Sequence, residues 1–444
     1  MTEINFQPAR ILAAWFATAI IVGSLILLIP ACTTSGSLSL IDAIFTATSA
    51  VCVTGLTINN IGADFTPFGQ VVILILIQLG GLGIMTFSTL ILMASGRKIA
   101  VKDRLFMQAS FHPGIPRDFR SLLTSILAFT LIVEATGAVF FFVSFLRDFD
   151  LPRSAWLAVF HSISAFCNAG FSLFSDSFSS YRGHSGIILI LILLILTGGI
   201  GFPVLREMKE IVSARLKGKR ECFSFHTRLV LVMTFLLVIL AALFFFAYES
   251  PKILGSAPIK ERILASFFLA VTPRTAGFNT VETSILSLPS VMLVILLMFI
   301  GASPASTGGG IKTTTAGVIF LHMKARLLSR TSPEGFKRTL PRETVTTSLT
   351  LAALAMGLIF LSITGLFLSQ PDLGMKQAIF EVFSAFGTVG LSMGITQQLT
   401  TAGKFVIILT MYLGRIGPLT ALYALARERQ GRQYEFAEEH VLIG

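Results

Sequence analysis

Four segments of this 444-residue chain place a Phe ten residues before a Gly: IFTATSAVCVTGL (Ile44 to Leu56), VFHSISAFCNAGF (Val159 to Phe171), SFFLAVTPRTAGF (Ser266 to Phe278) and IFEVFSAFGTVGL (Ile379 to Leu391). The pairs are Phe45 with Gly55, Phe160 with Gly170, Phe267 with Gly277 and Phe380 with Gly390. One such pair is noise; four at equal spacing are an internal repeat. A second glycine follows each by 24 to 28 residues, at Gly80, Gly198, Gly301 and Gly414. The chemistry on offer is that of the backbone. Glycine admits the angles that turn carbonyl oxygens inward, and rings of carbonyls can replace the hydration shell of a cation. An isolated glycine in a membrane helix marks close helix packing, but these four end short helices in register.

The elements that must hold such loops follow from composition. Hydrophobic residues make up 54% of the chain and charged residues 13%, where soluble domains carry roughly 25% charged. Forty Phe stand beside two Trp. So much apolar surface requires the bilayer as part of the solvent. Apolar segments run from Ile11 to Pro30, Phe68 to Met93, Leu122 to Leu146, Ser185 to Leu205, Leu229 to Tyr248, Leu288 to Leu321, Val345 to Leu368 and Phe405 to Ala426. Each is long enough to cross a ~30 Å hydrocarbon core. Ile29-Pro30-Ala31-Cys32 is similar to a lipoprotein cleavage box, yet with Arg10 alone before it the first segment reads as a span. The repeat segments lie between spans and are too short to cross, so they read as re-entrant. The expected fold is all-α and integral to the membrane. Four units of outer helix, short helix, glycine loop and inner helix surround one axis, giving eight transmembrane and four short helices. The short helices aim their negative C-terminal ends at the cavity below.

The net charge of +11 comes from Lys and Arg gathered in connectors. Arg97 to Arg120 holds 6, Arg206 to Arg228 holds 7 and Lys324 to Arg342 holds 6, together 19 of 34. That bias places these connectors and both termini in the cytoplasm, and it argues against a nucleic-acid face, which would mix bases with stacking aromatics. The units are 1–96, 121–206, 229–321 and 344–426, joined by connectors 97–120, 207–228 and 322–343 and followed by a tail, 427–444. Cys32, Cys52, Cys167 and Cys222 have no CxxC spacing, so neither a zinc site nor a disulfide framework is indicated. No HExxH, no GxSxG and no His/Asp pair at helical spacing supports an enzyme.

Two features interrupt the inner helices. The sixth apolar segment contains Gly301-Ala302-Ser303-Pro304-Ala305-Ser306-Thr307-Gly308-Gly309-Gly310-Ile311-Lys312-Thr313, which cannot remain helical without compensation. It is not a phosphate loop, because Ile311 separates Gly310 from Lys312 and no strand precedes it. Broken helices in transporters mark the transport path; a cytoplasmic loop between two shorter helices is the plainer alternative. In the eighth segment Arg415 stands in Leu413-Gly414-Arg415-Ile416-Gly417, where the earlier copies read Gly80-Gly81-Leu82-Gly83 and Gly198-Gly199-Ile200-Gly201. A charge at that depth faces a wet path, or pairs with an acid or with carbonyls; a snorkelling helix-end Arg is the other reading. Glu134 and Glu381 are either proton or Na⁺ coupling sites or anchors of the loops, with Arg274 a candidate partner. His161 reads as a packed or hydrogen-bonding residue.

With Thr54-Gly55-Leu56, Asn168-Ala169-Gly170-Phe171, Arg274-Thr275-Ala276-Gly277-Phe278 and Thr388-Val389-Gly390-Leu391, the chain resembles the Trk/Ktr/HKT superfamily of K⁺ transporters over nearly its whole length. With eight spans and no extra N-terminal pair it is most similar to the Ktr-type membrane subunit. The resemblance implies K⁺ uptake through a gated pore whose filter has one glycine per repeat. A serine at the first filter position goes with Na⁺ preference in that family, so Gly55 favours K⁺. The implied K⁺ ligands are carbonyls of Val53, Thr54, Asn168, Ala169, Thr275, Ala276, Thr388 and Val389, beside Gly55, Gly170, Gly277 and Gly390. Residues 302 to 313 become an intramembrane gating loop, with Arg415 adding repulsion beneath the filter. The resemblance also implies a homodimer, a cytosolic nucleotide-binding regulatory subunit and a bacterial inner membrane. No cofactor is expected on this chain; K⁺ is the transported ion, with Na⁺ as a candidate coupling ion. The competing class is a Na⁺- or H⁺-coupled symporter with rocking halves, for which two related halves would be expected rather than four units.

Overall fold

A computed structural model describes residues 8–94, 119–219, 221–418 and 421–422. Connector 97–120, apart from its last two residues, and tail 427–444 lie outside the described residues. The chain is helical, with a single two-residue hairpin, β1 (Glu334–Gly335) against β2 (Arg338–Thr339), among the described residues.

A pattern of long helix, short helix, loop and apolar helix recurs along the chain. The long helices are α1 (Pro8–Leu27), α4 (Phe119–Phe145), α8 (Phe225–Phe244) and α12 (Arg342–Ser369). The short ones are α2 (Leu40–Val51), α5 (Leu151–Phe166), α9 (Ile259–Val271) and α13 (Met375–Gly387). After each comes an apolar helix: α3 (Pro67–Ala94), α6 (Ser185–Ile200) continued by α7 (Phe202–Leu216), α10 (Leu288–Phe299) continued by α11 (Thr313–Leu327), and α14 (Thr401–Ile416). Local chemistry starts several of them. Ser39 caps α2 by accepting from Asp42 N, Thr400 caps α14 by accepting from Gly403 N, and a proline opens α5, α7 and α10, where a missing N–H costs nothing.

The long helices show why this is a membrane protein. Only 22% of the apolar window in α4 and 17% of that in α12 is buried, and Leu131, Ile132 and Phe360 are among their exposed side chains. Apolar surface of that extent is stable only against hydrocarbon.

The inner helices depart from the expected continuous spans. Four helices among the described residues have the length and composition to cross a membrane alone, and α6 with α7 makes a fifth only as a pair bent by 100°. The expected breaks in residues 301–313 are joined by three more. Gly83 sits inside α3 at φ 70°, ψ 167°; Gly201 separates α6 from α7 at φ 97°; Gly417 ends α14 at φ 88°. All three are left-handed angles that side chains resist, and each lies three residues after one of the second glycines.

Those second glycines have a packing reason. A Cβ on Gly80 would lie 2.0 Å from Val51 O, on Gly198 1.9 Å from Phe166 O, and on Gly414 2.0 Å from Phe386 O. In three units, then, the inner helix lies directly on the last carbonyls of its own short helix. The third departs, because Gly301 faces Gly309 O instead. Gly414→Ala should force α13 and α14 apart and cost about 1–3 kcal/mol, as overpacking does. A lowered midpoint of thermal unfolding in detergent is expected; an unchanged one would show that the helices have room to separate.

Candidate functional site

Each short helix ends in the same way. Val53 (φ 55°), Asn168 (φ 58°), Thr275 (φ 68°) and Thr388 (φ 50°) are left-handed, and the glycine two residues later is left-handed again: Gly55 at 92°, Gly170 at 70°, Gly277 at 74° and Gly390 at 91°. Left-handed residues usually cap helices as Gly or Asn; β-branched Val53, Thr275 and Thr388 pay strain there. Alternating hands turn successive carbonyls to the same side, whereas an extended strand would alternate them.

The four loops meet in a closed ring, in chain order. A Cβ on Gly55 would lie 2.5 Å from Ala169 O; on Gly170, 2.9 Å from Ala276 O; on Gly277, 2.3 Å from Val389 O; and on Gly390, 2.2 Å from Thr54 O. Each glycine thus abuts the carbonyl that precedes the glycine of the next loop, and the last returns to the first. Thr54 and Thr388 also hold buried hydroxyl oxygens with no hydrogen-bond partner in the described chain.

Serines buried in the short helices hold the loops. Thr54 N, Ala169 N and Val389 N donate to Ser49 O, Ser164 O and Ser384 O at 2.8, 2.8 and 2.9 Å. Ser49 Oγ and Ser384 Oγ accept from Gly55 N and Gly390 N, each at 3.1 Å, and Ser164 Oγ donates to Phe171 O at 2.8 Å. These serines stand six residues before the loop glycines. In the third unit the same role falls to Thr272, five residues before Gly277, whose hydroxyl donates to Phe278 O at 2.6 Å. From the bracing hydroxyl to the glycine, the third unit is one residue shorter than the others. Accordingly Phe268 is fully buried, as are Phe45, Phe160 and Phe380, while Phe267, the partner expected from equal spacing, is only half-buried.

Residues 302–313 fold back beneath the ring. Ile300 and Ile311 form a parallel bridge, Gly301 N donates to Ile311 O at 2.9 Å and Thr313 N to Ala302 O at 3.2 Å. A Cβ on Gly308 would lie 2.1 Å from Thr275 Oγ1 and one on Gly309 2.3 Å from Thr388 Oγ1, so the segment touches two of the left-handed loop residues. Thr307 Oγ1 donates to Phe166 O at 3.2 Å. Ser303 N and Thr307 N donate to Gly199 O and Gly198 O at 3.0 and 3.2 Å, and Phe202 N to Ala305 O at 3.1 Å. Pro304 O occupies the place of a Cβ on Gly201, and Ser306 Oγ closes the turn onto Ser303 O. Lys312 Nζ donates to Gly308 O at 2.8 Å, with Gly310 left-handed at φ 68° between them. Arg415 donates to Thr307 O and to Gly80 O. It therefore pairs with carbonyls and not with an acid, and it ties the segment to α3.

A model of the TrkH family, described as cation transport protein, matches residues 10–433. Ktr system potassium uptake protein B of Bacillus subtilis is 40% identical over 430 residues, covering 96% of this chain and 95% of that protein. The chain belongs to the TrkH family of cation transport proteins. Potassium/sodium uptake protein NtpJ of Enterococcus hirae is 36% identical over 99% of this chain and 98% of its own. A crystal structure of the potassium transporter TrkH from Vibrio parahaemolyticus has the same fold, with TM-score 0.74 at 20% identity, over 96% of this chain and 86% of that one.

The remaining polar residues of this family member sit behind the ring. Glu381 is fully buried and accepts from Ser392 Oγ at 2.8 Å and from Thr396 Oγ1. His161 is its counterpart in the second unit, one residue after the buried Phe. Its Nε2 accepts from Leu173 N at 3.2 Å and faces Ser172 Oγ at 3.1 Å, so Nδ1 carries the proton that goes to Leu157 O at 2.8 Å. Ser172 and Ser392 both stand two residues beyond a loop glycine. Glu134 accepts from Gln78 Nε2 at 3.2 Å and from Cys167 Sγ at 3.9 Å, bracing α3, α4 and the end of α5. Arg274 pairs with neither acid; its guanidinium donates to Thr234 Oγ1 at 3.3 Å. The serines were missed in the sequence, although Ser-Ala recurs at the same place in three copies. Ser384→Ala should leave Gly390 N without its acceptor, at about 1–3 kcal/mol, and speed amide exchange in peptides covering 384–392. Exchange at the original rate would mean the hydroxyl holds nothing.

Proposed function

We propose that the chain takes up K⁺ through a pore on the axis of the glycine ring, with the four loops as its selectivity filter. The closed ring of Gly55, Gly170, Gly277 and Gly390 carries this reading. Four chain segments converge, each presenting one carbonyl (Thr54, Ala169, Ala276 or Val389) beside a neighbouring loop's glycine, and a ring of carbonyls can replace a cation's water shell. The filter oxygens are those of Val53, Thr54, Asn168, Ala169, Thr275, Ala276, Thr388 and Val389. The names of the Bacillus subtilis relative and of the Vibrio parahaemolyticus structure support K⁺ as the ion. A second reading, in which Na⁺ takes part in transport, is favoured by the name of the Enterococcus hirae relative.

Residues 302–313 act as the gate. They lie against Thr275 and Thr388 on the side where the short helices end, and Lys312 and Arg415 bring two positive charges to the path of a cation. Arg415 latches the loop to Gly80 O; release of that bond accompanies opening. The basic connectors face the cytoplasm, and those outside α7 carry a second component, a nucleotide-binding regulator, in keeping with "Ktr system" in the relative's name; the chain works as a homodimer in the bacterial inner membrane.

Gly55→Ser tests the filter in cells lacking their own K⁺ uptake. Its Cβ would sit at φ 92° and 2.5 Å from Ala169 O, so rubidium uptake should fall and discrimination against Na⁺ should erode. An unchanged K⁺/Na⁺ uptake ratio would count against the assignment. Arg415→Ala tests the gate. Freeing Thr307 O and removing the charge should raise rubidium flux about tenfold, the effect of ~1.4 kcal/mol on a barrier; wild-type flux would make the charge structural.

A further inference from the structure

We infer that α7 is a lipid-docking lever: its exposed apolar stripe rests in the inner-leaflet surface of a bilayer containing anionic lipid, and its position is transmitted to the gating loop. The inner-leaflet side and the gating consequence rest on the function proposed above; the docking rests on α7 itself.

Three faces divide this helix. Val204, Ile211 and Ala214 are buried against the protein. Met208, Val212 and Leu216, spaced four apart, are 36, 58 and 85% exposed and form a stripe beside that buried face. Arg206 and Glu210, paired at 2.7 Å, and Ser213 make up the third, polar face. At 100° per residue, Lys209 falls on one flank of the stripe and Arg215 on the other, both exposed. An apolar stripe between basic flanks is the pattern of a helix lying in a membrane interface, and positive charge selects an anionic surface. Orientation agrees: α7 leaves α6 at 100°, so if α6 crosses the bilayer, α7 lies nearly in its plane. Glu207 fixes its level at the start of α8 by accepting from Ser224 N, from Ser224 Oγ at 2.8 Å and from Thr227 Oγ1. Burial alone would raise the Glu207 pKa, but those bonds hold it below the ordinary carboxylate value, so it remains an acceptor at neutral pH.

The linkage to the gate is a set of backbone bonds. The bend at Gly201 shares three of them with the loop: Ser303 N to Gly199 O, Thr307 N to Gly198 O and Phe202 N to Ala305 O. The last belongs to the first residue of α7, so a tilt of the helix on the lipid surface moves residues 303–307.

The test uses the full-length protein in vesicles of phosphatidylcholine alone or with added phosphatidylglycerol. Cys222→Ser removes the exposed thiol and leaves the three buried ones. A spin label then goes on Val212→Cys, in the stripe, or on Ser213→Cys, on the polar face. The 212 label should become shielded from a water-soluble relaxation agent when phosphatidylglycerol is present, and the 213 label should remain accessible. Lys209→Gln should weaken this docking about fivefold, the effect of ~1 kcal/mol per basic residue at an anionic surface. Equal accessibility at 212 and 213 in both vesicles would overturn the docking, as would shielding of 212 only after a cytosolic protein partner is added. Rubidium flux should differ between the two vesicles and cease to differ in Lys209→Gln with Arg215→Gln. A docked label with identical flux would overturn the link to the loop. A docked label with no rubidium flux in any vesicle would count against K⁺ uptake and leave the docking standing.

Discussion

At each loop glycine the space a Cβ would fill belongs to a carbonyl oxygen of the next loop, and around the ring this happens four times. Much else in the structure follows from that crowding. The backbones can approach so closely only if side chains are absent at four equivalent positions, and each loop must then be held from behind, since it has no side chain of its own at the ring. Ser49, Ser164, Ser384 and Thr272 do the holding from within the short helices. Strain at Val53, Thr275 and Thr388, which occupy left-handed angles unsuited to β-branched residues, is borne by that same scaffold.

The second row of glycines extends the constraint downward. Gly80, Gly198 and Gly414 let three inner helices rest on the carbonyl ends of their short helices, so in those units loop, short helix and inner helix are in direct contact. The third unit gives up this contact. Its inner helix stops at Phe299, and residues 300–312 fold back to lie against Thr275 and Thr388. The four units thus share a left-handed glycine at the ring and differ most below it. Lys312 and Arg415 occupy that unequal part, their charges satisfied by carbonyls of Gly308, Thr307 and Gly80 and not by acids.

Behind the ring the second and fourth units use a titratable side chain for the same task. His161 reaches Ser172 and Leu173, and Glu381 reaches Ser392 and Thr396. In the first unit the corresponding residue is Thr46 and in the third, after the one-residue shift, it is Leu269. Opposite loops are therefore braced by buried polar groups and the other two by packing and hydroxyls.

The sequence by itself determined the membrane setting, the four copies and the positions of eight glycines, because glycine, apolar length and repeat spacing are written directly in residue types. It also marked the interrupted sixth segment and the misplaced charge at Arg415, since neither belongs in an apolar helix. Only the tertiary structure decided what each glycine is for. The breaks at Gly83, Gly201 and Gly417 depend on φ values, which a glycine permits but does not declare. The one-residue shift that exchanges Phe267 for Phe268 was hidden because the third copy carries two adjacent Phe, and only burial chooses the second over the one at equal spacing. The partners of Arg274, Glu134 and Arg415 lie tens to hundreds of residues away along the chain, and a choice among acids, carbonyls and hydroxyls at such separations is made by packing geometry that residue type does not encode.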